Sequence, residues 1–278
     1  MQVRLCVARK GIHYPLSRYN NGQTYFEPGD QLHVSTMDYA RLAKKGRIEA
    51  IDKDETEIEL QEIDIKDVFP RKSNVIWVFG DGPSAMMAKG QVLPNAVTFA
   101  VNRCFFETKT DGTPALGLVP DYYVALDDAT MLMEEKRIKE LAAVRKFTNR
   151  SNSRSGKFTW PELRFVDVHG ETGFSTEPMI VYHGKTTTYI ALQLAVQMGL
   201  AYFPKENIEI HIAGVDLTVL DGDGKKLTHH YGHGNYNSQA FTRMLDAFRY
   251  GLNHLNELGI KWTNHSPFLA GRIEDLVQ

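Results

Sequence analysis

The chain has 278 residues, of which 42% are hydrophobic and 24% are charged, and its formal net charge is −2. These values are ordinary for a globular protein, and they exclude a strong overall attraction to nucleic acid or to an anionic membrane surface. The sequence has no apolar run of about 18 residues, no signal-peptide core at its N-terminus and no cysteine framework, since Cys6 and Cys104 lie far apart. It therefore predicts a cytoplasmic protein without a membrane span.

Residues 1–70 are predicted to form a small β-rich module that ends in an acidic connector. Apolar residues alternate with polar or small ones at residues 3–7 and again at 31–35, a pattern typical of half-buried strands. Residues 48–68 are strongly acidic, and the apolar residues spaced along 58–65 favour an edge strand within this stretch. One interpretation is that this module mediates assembly of the protein into a homo-oligomer.

From residue 74 onward, apolar runs alternate with helical patterns. Strands are predicted at residues 75–79, 97–102, 121–128, 163–168, 208–216 and 260–264. Helices are predicted at residues 131–144, 187–198 and 239–258, with Gly199 ending the second of them. Alternating strands and helices imply an α/β domain over residues 71–278, in which helices cover both faces of a mostly parallel sheet.

Residues 74–84 predict a strand, a glycine turn and the start of a helix. Gly80 and Gly82 let the backbone turn sharply and approach a ligand closely. Pro83 suits the first helical position, and Ser84 offers a hydroxyl beside it. Free N–H groups at such a helix start attract anions, so this turn is a candidate phosphate site. A tight turn without a ligand is the alternative.

Polar residues close several of the predicted strands. Ligands of parallel sheets bind outside the carboxyl ends of the strands, so these residues predict a site along one rim of the sheet. They are Asp81, Asn102, Asp127, Asp128 and Asp216. Loop solubility and helix capping are the alternative explanation for each of them.

Thr186, Thr187 and Thr188 begin a predicted helix after Gly184 and Lys185. A hydroxyl-rich helix start supplies an N-cap or holds an anion, and the sequence leaves both roles open. The stretch is not a P-loop, because the first glycine of that motif is absent.

A basic segment at residues 136–157 has eight lysines and arginines against the single acid Glu140. Three interpretations stay open: a mobile cationic lid over a phosphate-bearing ligand, a nucleic-acid contact and a solvated surface. The near-neutral net charge argues against strong affinity for DNA.

Three of the ten histidines, His229, His230 and His233, fall within five positions. A neutral imidazole is a suitable general base near pH 7, so one of them is a candidate catalytic residue. A structural role and zinc binding are the alternatives, but no arrangement of cysteines or carboxylates completes a strong zinc site. The nearby Asp221 and Asp223 stand between glycines and favour a surface turn.

In this order, the motifs resemble bacterial sialyltransferases that use CMP-activated sialic acid, together with related Rossmann-like proteins grouped with hydroxymethylpterin diphosphokinase. The resemblance covers roughly residues 74–270. Residues 80–84 are similar to the family's Gly-Asn-Gly-Pro-Ser nucleotide loop, and residues 230–233 are similar to its His-Tyr-x-Gly-His motif. The other matching positions are Asn102, 187–199, 212–216 and 264–267.

The resemblance implies a Rossmann-like glycosyltransferase that moves a sugar from a CMP-sugar-like donor to a hydroxyl acceptor. It implies that Asn102 contacts the nucleotide and that residues 80–84 and 186–188 bind the nucleotide phosphate. It makes His230 the base that removes the acceptor proton, with no metal required. The chain departs from the family pattern at Asp81, which replaces an asparagine. Its histidine motif is also one residue shorter, so His229 and His233 compete for the base role.

Other functions stay open. A pterin-type diphosphokinase would use ATP and Mg²⁺, with the carboxylates of Asp81, Asp216, Asp221 and Asp223 as candidate ligands. A glycosyltransferase that acts on hydroxylated DNA bases is suggested by the basic segment at residues 136–157. A non-catalytic assembly protein would act through residues 1–70.

Overall fold

The structure is a computed structural model that describes residues 2–8, 12–13, 25–28, 31–35, 42–44, 48–50, 56–57, 64–149, 160–216 and 238–265. Contacts divide the chain into two compact units, one up to Asp64 and the other from Ile65 onward. Within the described ranges, no helix combines the length and the apolar character needed to cross a membrane.

The first unit is built on an antiparallel sheet, which confirms the β-rich prediction. Its central strand β1 pairs with three others, and a separate ribbon joins two short strands. The strands are β1 (Gln2–Ala8), β2 (Ile12–His13), β3 (Tyr25–Phe26), β4 (Gln31–Ser35), β5 (Ile48–Ala50) and β6 (Thr56–Glu57). The acidic stretch is therefore more than a connector, because β5 and β6 lie within it.

The second unit contains eight strands and six α-helices among the described residues. The strands are β7 (Val75–Phe79), β8 (Val97–Val101), β9 (Tyr122–Val124), β10 (Arg145–Asn149), β11 (Leu163–His169), β12 (Ile180–Tyr182), β13 (Glu209–Ala213) and β14 (Lys261–Asn264). The helices are α1 (Ile65–Val68), α2 (Ser84–Ala88), α3 (Asp128–Met133), α4 (Glu135–Glu140), α5 (Thr187–Tyr202) and α6 (Ser238–Leu258).

The eight strands form one parallel sheet, which confirms the predicted parallel arrangement, although β10 and β12 were not predicted. Their order is β12-β11-β10-β9-β8-β7-β13-β14, and every neighbouring pair is parallel. The chain starts at β7, moves outward strand by strand to β12, and returns through α5 to β13 on the other side of β7. The direction of travel therefore reverses between β7 and β13, and this kind of switch point opens a crevice at the carboxyl edge of a parallel sheet.

Helix α5 is the central packing element of this unit. Every residue from Thr188 to Gly199 is buried, so the helix has no solvent face over three turns. The prediction that Gly199 ends the helix is wrong, because α5 continues to Tyr202. A side chain at Gly199 would place its Cβ 3.0 Å from Cδ1 of Ile208, so the glycine lets the helix pack closely on the chain that enters β13.

Several other predicted element boundaries are also wrong. Residues 131–144 do not form one helix, since α3 and α4 end at Met133 and Glu140. Asp128 begins α3 instead of closing a strand, and Ile65 begins α1 instead of continuing an edge strand. The remainder of the predicted edge strand, at 58–63, lies outside the described residues.

The basic segment does not form a lid over its whole length. Arg145 and Lys146 belong to β10, which pairs with β9 and β11 in the interior of the sheet. Lys146 is only 2% exposed, and its Nζ donates to the carbonyl of Lys139 at 3.1 Å. Burial lowers the pKa of its ammonium. Arg145 donates to Asp67, so both cations are held by the protein. Residues 150–157 lie outside the described residues.

Candidate functional site at the switch point

The loops that follow β7 and β13 meet at the switch point through backbone hydrogen bonds. The N–H of Gly80 donates to the carbonyl of Ala213 at 2.8 Å, and the N–H of Gly82 donates to the carbonyl of Gly214 at 2.8 Å. Predicted site residues from distant parts of the sequence therefore lie side by side on this rim.

A buried carboxylate closes this junction. Oδ2 of Asp216 accepts a hydrogen bond from the N–H of Ser84 at 3.0 Å, at the start of α2. The hydroxyl oxygen of Ser84 in turn accepts from the N–H of Gly214 at 2.9 Å. Asp216 is 4% exposed and Ser84 is fully buried. The N–H groups of Gly80, Gly82 and Ser84 thus bind protein oxygens, and the anion at the start of α2 is a side chain of the chain itself.

The two glycines of the turn allow this close packing. A Cβ at Gly80 would lie 2.5 Å from the carbonyl oxygen of Gly214 and 2.9 Å from Oγ1 of Thr188. A Cβ at Gly82 would overlap Oδ2 of Asp216. The turn therefore packs against the β13 loop on one side and against the first turn of α5 on the other. These contacts bring Thr188 into the same site.

Asp81 and Asn102 form a second pair on the rim. Asn102 follows β8 in the left-handed region, at φ +47°, which asparagine adopts more readily than most residues. Its N–H donates to the carbonyl of Val124, and its own carbonyl accepts from the Tyr123 hydroxyl at 2.6 Å. The side-chain Nδ2 donates to Oδ2 of Asp81 at 2.6 Å, which fixes the orientation of the amide.

The other end of the Asn102 amide has no hydrogen-bond partner in the part of the chain that the structure describes. Its Oδ1 is buried, and no described residue donates a hydrogen bond to it. A buried acceptor left without a donor costs about 1–3 kcal/mol. A ligand that donates a hydrogen bond at this position recovers that cost. The role of Asp81 also becomes clear, since its carboxylate orients Asn102.

The start of α5 lies on the same rim. Thr186 is the N-cap, and its Oγ1 accepts from the N–H of Thr188 at 3.3 Å, so the capping role left open by the sequence belongs to Thr186. Gly184 and Lys185 both have positive φ, which turns the chain sharply into the helix. The positive end of a long helix dipole and the hydroxyls of its first turn favour an anion here.

The other predicted site residues are not among those that form this junction. Asp127 and Asp128 lie at the turn from β9 into α3, where the carbonyl of Asp127 accepts from the N–H of Met131 at 3.0 Å. The clustered histidines and the acidic turn lie outside the described residues; they are His229, His230, His233, Asp221 and Asp223. Among the residues that are described, no group of three or more His, Cys, Asp or Glu side chains could hold a metal ion.

A histidine pair beside the switch point was not predicted from the sequence. His211 on β13 and His265 just after β14 approach within 2.9 Å, and the ring of Trp77 on β7 stacks on His211 and contacts His265 in a tilted arrangement. A signal was present in the sequence. Glu209 and His211 alternate with isoleucines, whereas a strand covered by helices on both faces is apolar throughout.

Comparisons of the whole chain with protein-family models, curated proteins and solved structures found no match. The geometry of the rim therefore carries the functional argument.

Three histidines make the stability of the second unit depend on pH. Burial lowers the pKa of His183, His211 and His265, so the fold favours their neutral forms. In the unfolded chain, each imidazole takes up a proton near its ordinary pKa of about 6.5. Their contribution to stability is therefore complete above that pH and is lost as the pH falls below it.

We expect the midpoint of urea unfolding to decrease between about pH 7.5 and about pH 5.5. The carboxylates with lowered pKa values do not contribute to the change over this pH range. Asp67 and Glu171 both have lowered pKa values. At Asp67, burial is the largest single influence and raises the pKa, but the hydrogen bonds and charges of Arg164 and Arg145 together outweigh it; at Glu171, the hydrogen bond to Lys185 is the main cause. Both carboxylates lose their contribution to stability only below about pH 4.5. An unchanged midpoint between the two pH values would show that the three imidazoles are not held neutral by the fold.

Proposed function

We propose that the second unit is a glycosyltransferase that binds a CMP-sugar-like donor at the switch point and transfers the sugar to a hydroxyl acceptor. The observation that carries this proposal is the buried, unpartnered Oδ1 of Asn102, which Asp81 holds on the carboxyl rim of the sheet. A cytosine amino group or a ribose hydroxyl is a donor of the kind that this oxygen requires.

The contacts on the rim suggest where the phosphate binds. The N–H groups of Gly80, Gly82 and Ser84 already bind protein oxygens, and the Asp216 carboxylate at the start of α2 repels a second anion. The first turn of α5 has a 16-residue helix dipole behind it and the hydroxyls of Thr186, Thr187 and Thr188 around it. The proposal therefore assigns the phosphate to Thr186–188 and the nucleoside to Asn102. A histidine acts as the base, and by resemblance this is His230, with His229 and His233 as alternatives.

The pterin-type diphosphokinase is less favoured by the geometry. Its Mg²⁺ would need several carboxylates that converge on one point. The Asp216 carboxylate is buried against the N–H of Ser84, and the Asp81 carboxylate is turned toward Asn102. For a DNA acceptor, the basic segment is a weak argument, because two of its cations are held within the fold.

A thermal-shift panel with CMP, UDP, GDP and ATP, each with and without Mg²⁺ or Mn²⁺, tests the proposal. We expect CMP to raise the melting temperature without a metal, since ligand at about 100 times its dissociation constant stabilises the native state by roughly 2.7 kcal/mol. Asn102→Gly should abolish this shift, because it removes the amide while tolerating the positive φ.

Asn95→Ala is the matched control, since Asn95 is exposed near the opposite end of β8 and should leave the shift unchanged. A shift with ATP and Mg²⁺ alone would favour the diphosphokinase instead. Stabilisation by CMP that survives in Asn102→Gly would remove Asn102 from the site, and no shift with any nucleotide would contradict a nucleotide site.

A further inference from the structure

A hydrogen-bonded chain of three side chains lies beside the switch point. Oε1 of Glu209 is 3.1 Å from Nε2 of His211, and Nδ1 of His211 is 2.9 Å from Nε2 of His265. The two ring centroids are 5.1 Å apart, so the facing nitrogens point at each other nearly along the line between the rings. A metal between them would need nitrogen atoms about 4 Å apart in this alignment. The pair therefore shares a proton and leaves no space for a cation.

The carboxylate fixes where the protons are. The Glu209 carboxylate only accepts hydrogen bonds, so Nε2 of His211 carries a hydrogen. In the neutral ring, Nδ1 of His211 then has a lone pair and accepts from Nε2–H of His265. The remaining nitrogen, Nδ1 of His265, keeps its lone pair and is the basic end of this series of three side chains.

Trp77 holds the two rings in place. Its ring centroid is 4.6 Å from that of His211, at an interplanar angle of 13°, and 4.5 Å from that of His265. Burial lowers the pKa of both imidazoles, and the charge of Glu209 opposes this effect at His211. Both rings are therefore neutral near pH 7, and Glu209 compensates the charge when a proton is added.

The basic end of the chain is on the rim that carries the proposed site. His265 directly follows β14, and its N–H donates to the carbonyl of Ile212 at 2.8 Å. It is thus level with the end of β13, whose next residues, Gly214 to Asp216, form the switch-point junction. Ligands of parallel sheets bind along this edge.

We propose that Glu209, His211 and His265 form a proton relay, and that Nδ1 of His265, in place of the His230 suggested by the resemblance, is the base that deprotonates the acceptor hydroxyl. The reaction step rests on the proposed glycosyltransferase function. The acceptor oxygen forms a bond to the sugar carbon as the bond from that carbon to the donor phosphate breaks, and the nucleotide leaves as the phosphate anion. Nδ1 of His265 takes the hydroxyl proton, Nε2–H of His265 shifts toward His211, and the Glu209 carboxylate balances the added charge until the proton is released to water.

Nitrogen-15 NMR of the full chain tests the relay without any substrate. We expect both His211 and His265 to carry their hydrogen on Nε2 at neutral pH, with a shared titration at lower pH. Glu209→Gln should lower the apparent pKa of the pair, because the compensating charge is removed. Glu206→Gln changes an exposed acid three positions earlier and should not. A hydrogen on Nδ1 of His265, or a titration that is indifferent to Glu209→Gln, would overturn the relay.

A variant that keeps the hydrogen bond but removes the base tests the reaction step. In His265→Gln, the amide nitrogen replaces Nε2 as donor to His211, while Nδ1 is lost. Transfer should slow by about 10²–10⁴-fold, with an unchanged thermal shift from CMP. His254→Gln, at a histidine on α6 that pairs with Glu257, should transfer at the normal rate.

The outcomes separate the two proposals. If His265→Gln transfers normally while His230→Gln does not, the base role of the relay is refuted. If no nucleotide binds the wild-type chain, the proposed function fails, and the NMR result still decides whether the relay exists.

Discussion

Replacing Gln193 with leucine is expected to destabilise the second unit by about 3 kcal/mol or more. Oε1 of this fully buried side chain accepts from the N–H groups of Ser175 and Tyr182, at 3.1 and 2.9 Å. Its Nε2 donates to the carbonyl of Tyr182 at 2.8 Å. Leucine fills the space but removes the hydrogen bonds that two N–H groups and one carbonyl make to Gln193, and each such bond lost in the interior costs about 1–3 kcal/mol.

Urea unfolding measures the total loss, and hydrogen exchange shows its location. The Ser175 and Tyr182 amides should exchange faster in Gln193→Leu than the amides of β7 do. Gln91→Leu is the control, because Gln91 is exposed and its replacement should change stability by no more than about 0.5 kcal/mol. A loss in Gln193→Leu as small as in this control would mean that water replaces the amide at no cost.

A neighbouring glutamine sharpens the test. Gln197, one turn later on α5, accepts from the N–H of Met179 at 3.0 Å and donates to the carbonyls of Ser175 and Ile180. The two side chains therefore hold the same segment, from Ser175 to Tyr182. The double variant should lose less stability than the sum of the single variants, because the first loss already releases the segment.

The two glutamines also explain why β12, at one edge of the sheet, was not predicted from the sequence. β12 has three residues, too few for a recognisable pattern, and part of its hydrogen bonding goes to side chains of α5. β10 was missed for a different reason. Its sequence, Arg-Lys-Phe-Thr-Asn, looks solvated, yet the cations of Arg145 and Lys146 bind Asp67 and a backbone carbonyl inside the fold. Local pattern gives no information about such distant partners.

Other elements were predictable because they depend on local sequence alone. β7, β8, β13 and β14 are short apolar or alternating runs bounded by turn residues, and α6 has its predicted end before Gly259. Asp81, Asn102 and Asp216 follow the carboxyl ends of β7, β8 and β13. Their pairing was not predictable, because Ser84 and Asp216 are 132 positions apart and meet only through the strand order.

The glycine turn shows the same limit. The sequence correctly predicted a sharp turn at Gly80 and Gly82 and suggested an approaching ligand as its reason. In the structure, the space that a side chain would need is taken by Gly214, Thr188 and Asp216 of the same chain. A glycine needed for a ligand and a glycine needed for a second loop give the same pattern in a single sequence.

Replacing Gly82 with alanine is therefore expected to destabilise the second unit by about 2–4 kcal/mol even without a ligand. The added Cβ would overlap Oδ2 of Asp216 and come within 2.7 Å of the carbonyl oxygen of Gly214. Neither atom moves freely, because Asp216 is buried and bonded to the N–H of Ser84, and the Gly214 carbonyl accepts from Gly82 itself. Urea unfolding at about pH 7.5, where the histidines are neutral, measures the loss.

Gly90→Ala is the matched control, since nothing lies within 4 Å of a Cβ at that position and its φ is not positive. Alanine has fewer conformations than glycine in the unfolded chain, so this substitution should leave the stability of the fold unchanged or raise it by up to about 1 kcal/mol. The comparison also separates the two explanations of the turn. If Gly82 served only a ligand, the alanine variant would unfold like wild type and lose only the CMP shift; a lower midpoint in the absence of nucleotide shows that the junction between the β7 and β13 loops is itself the constraint.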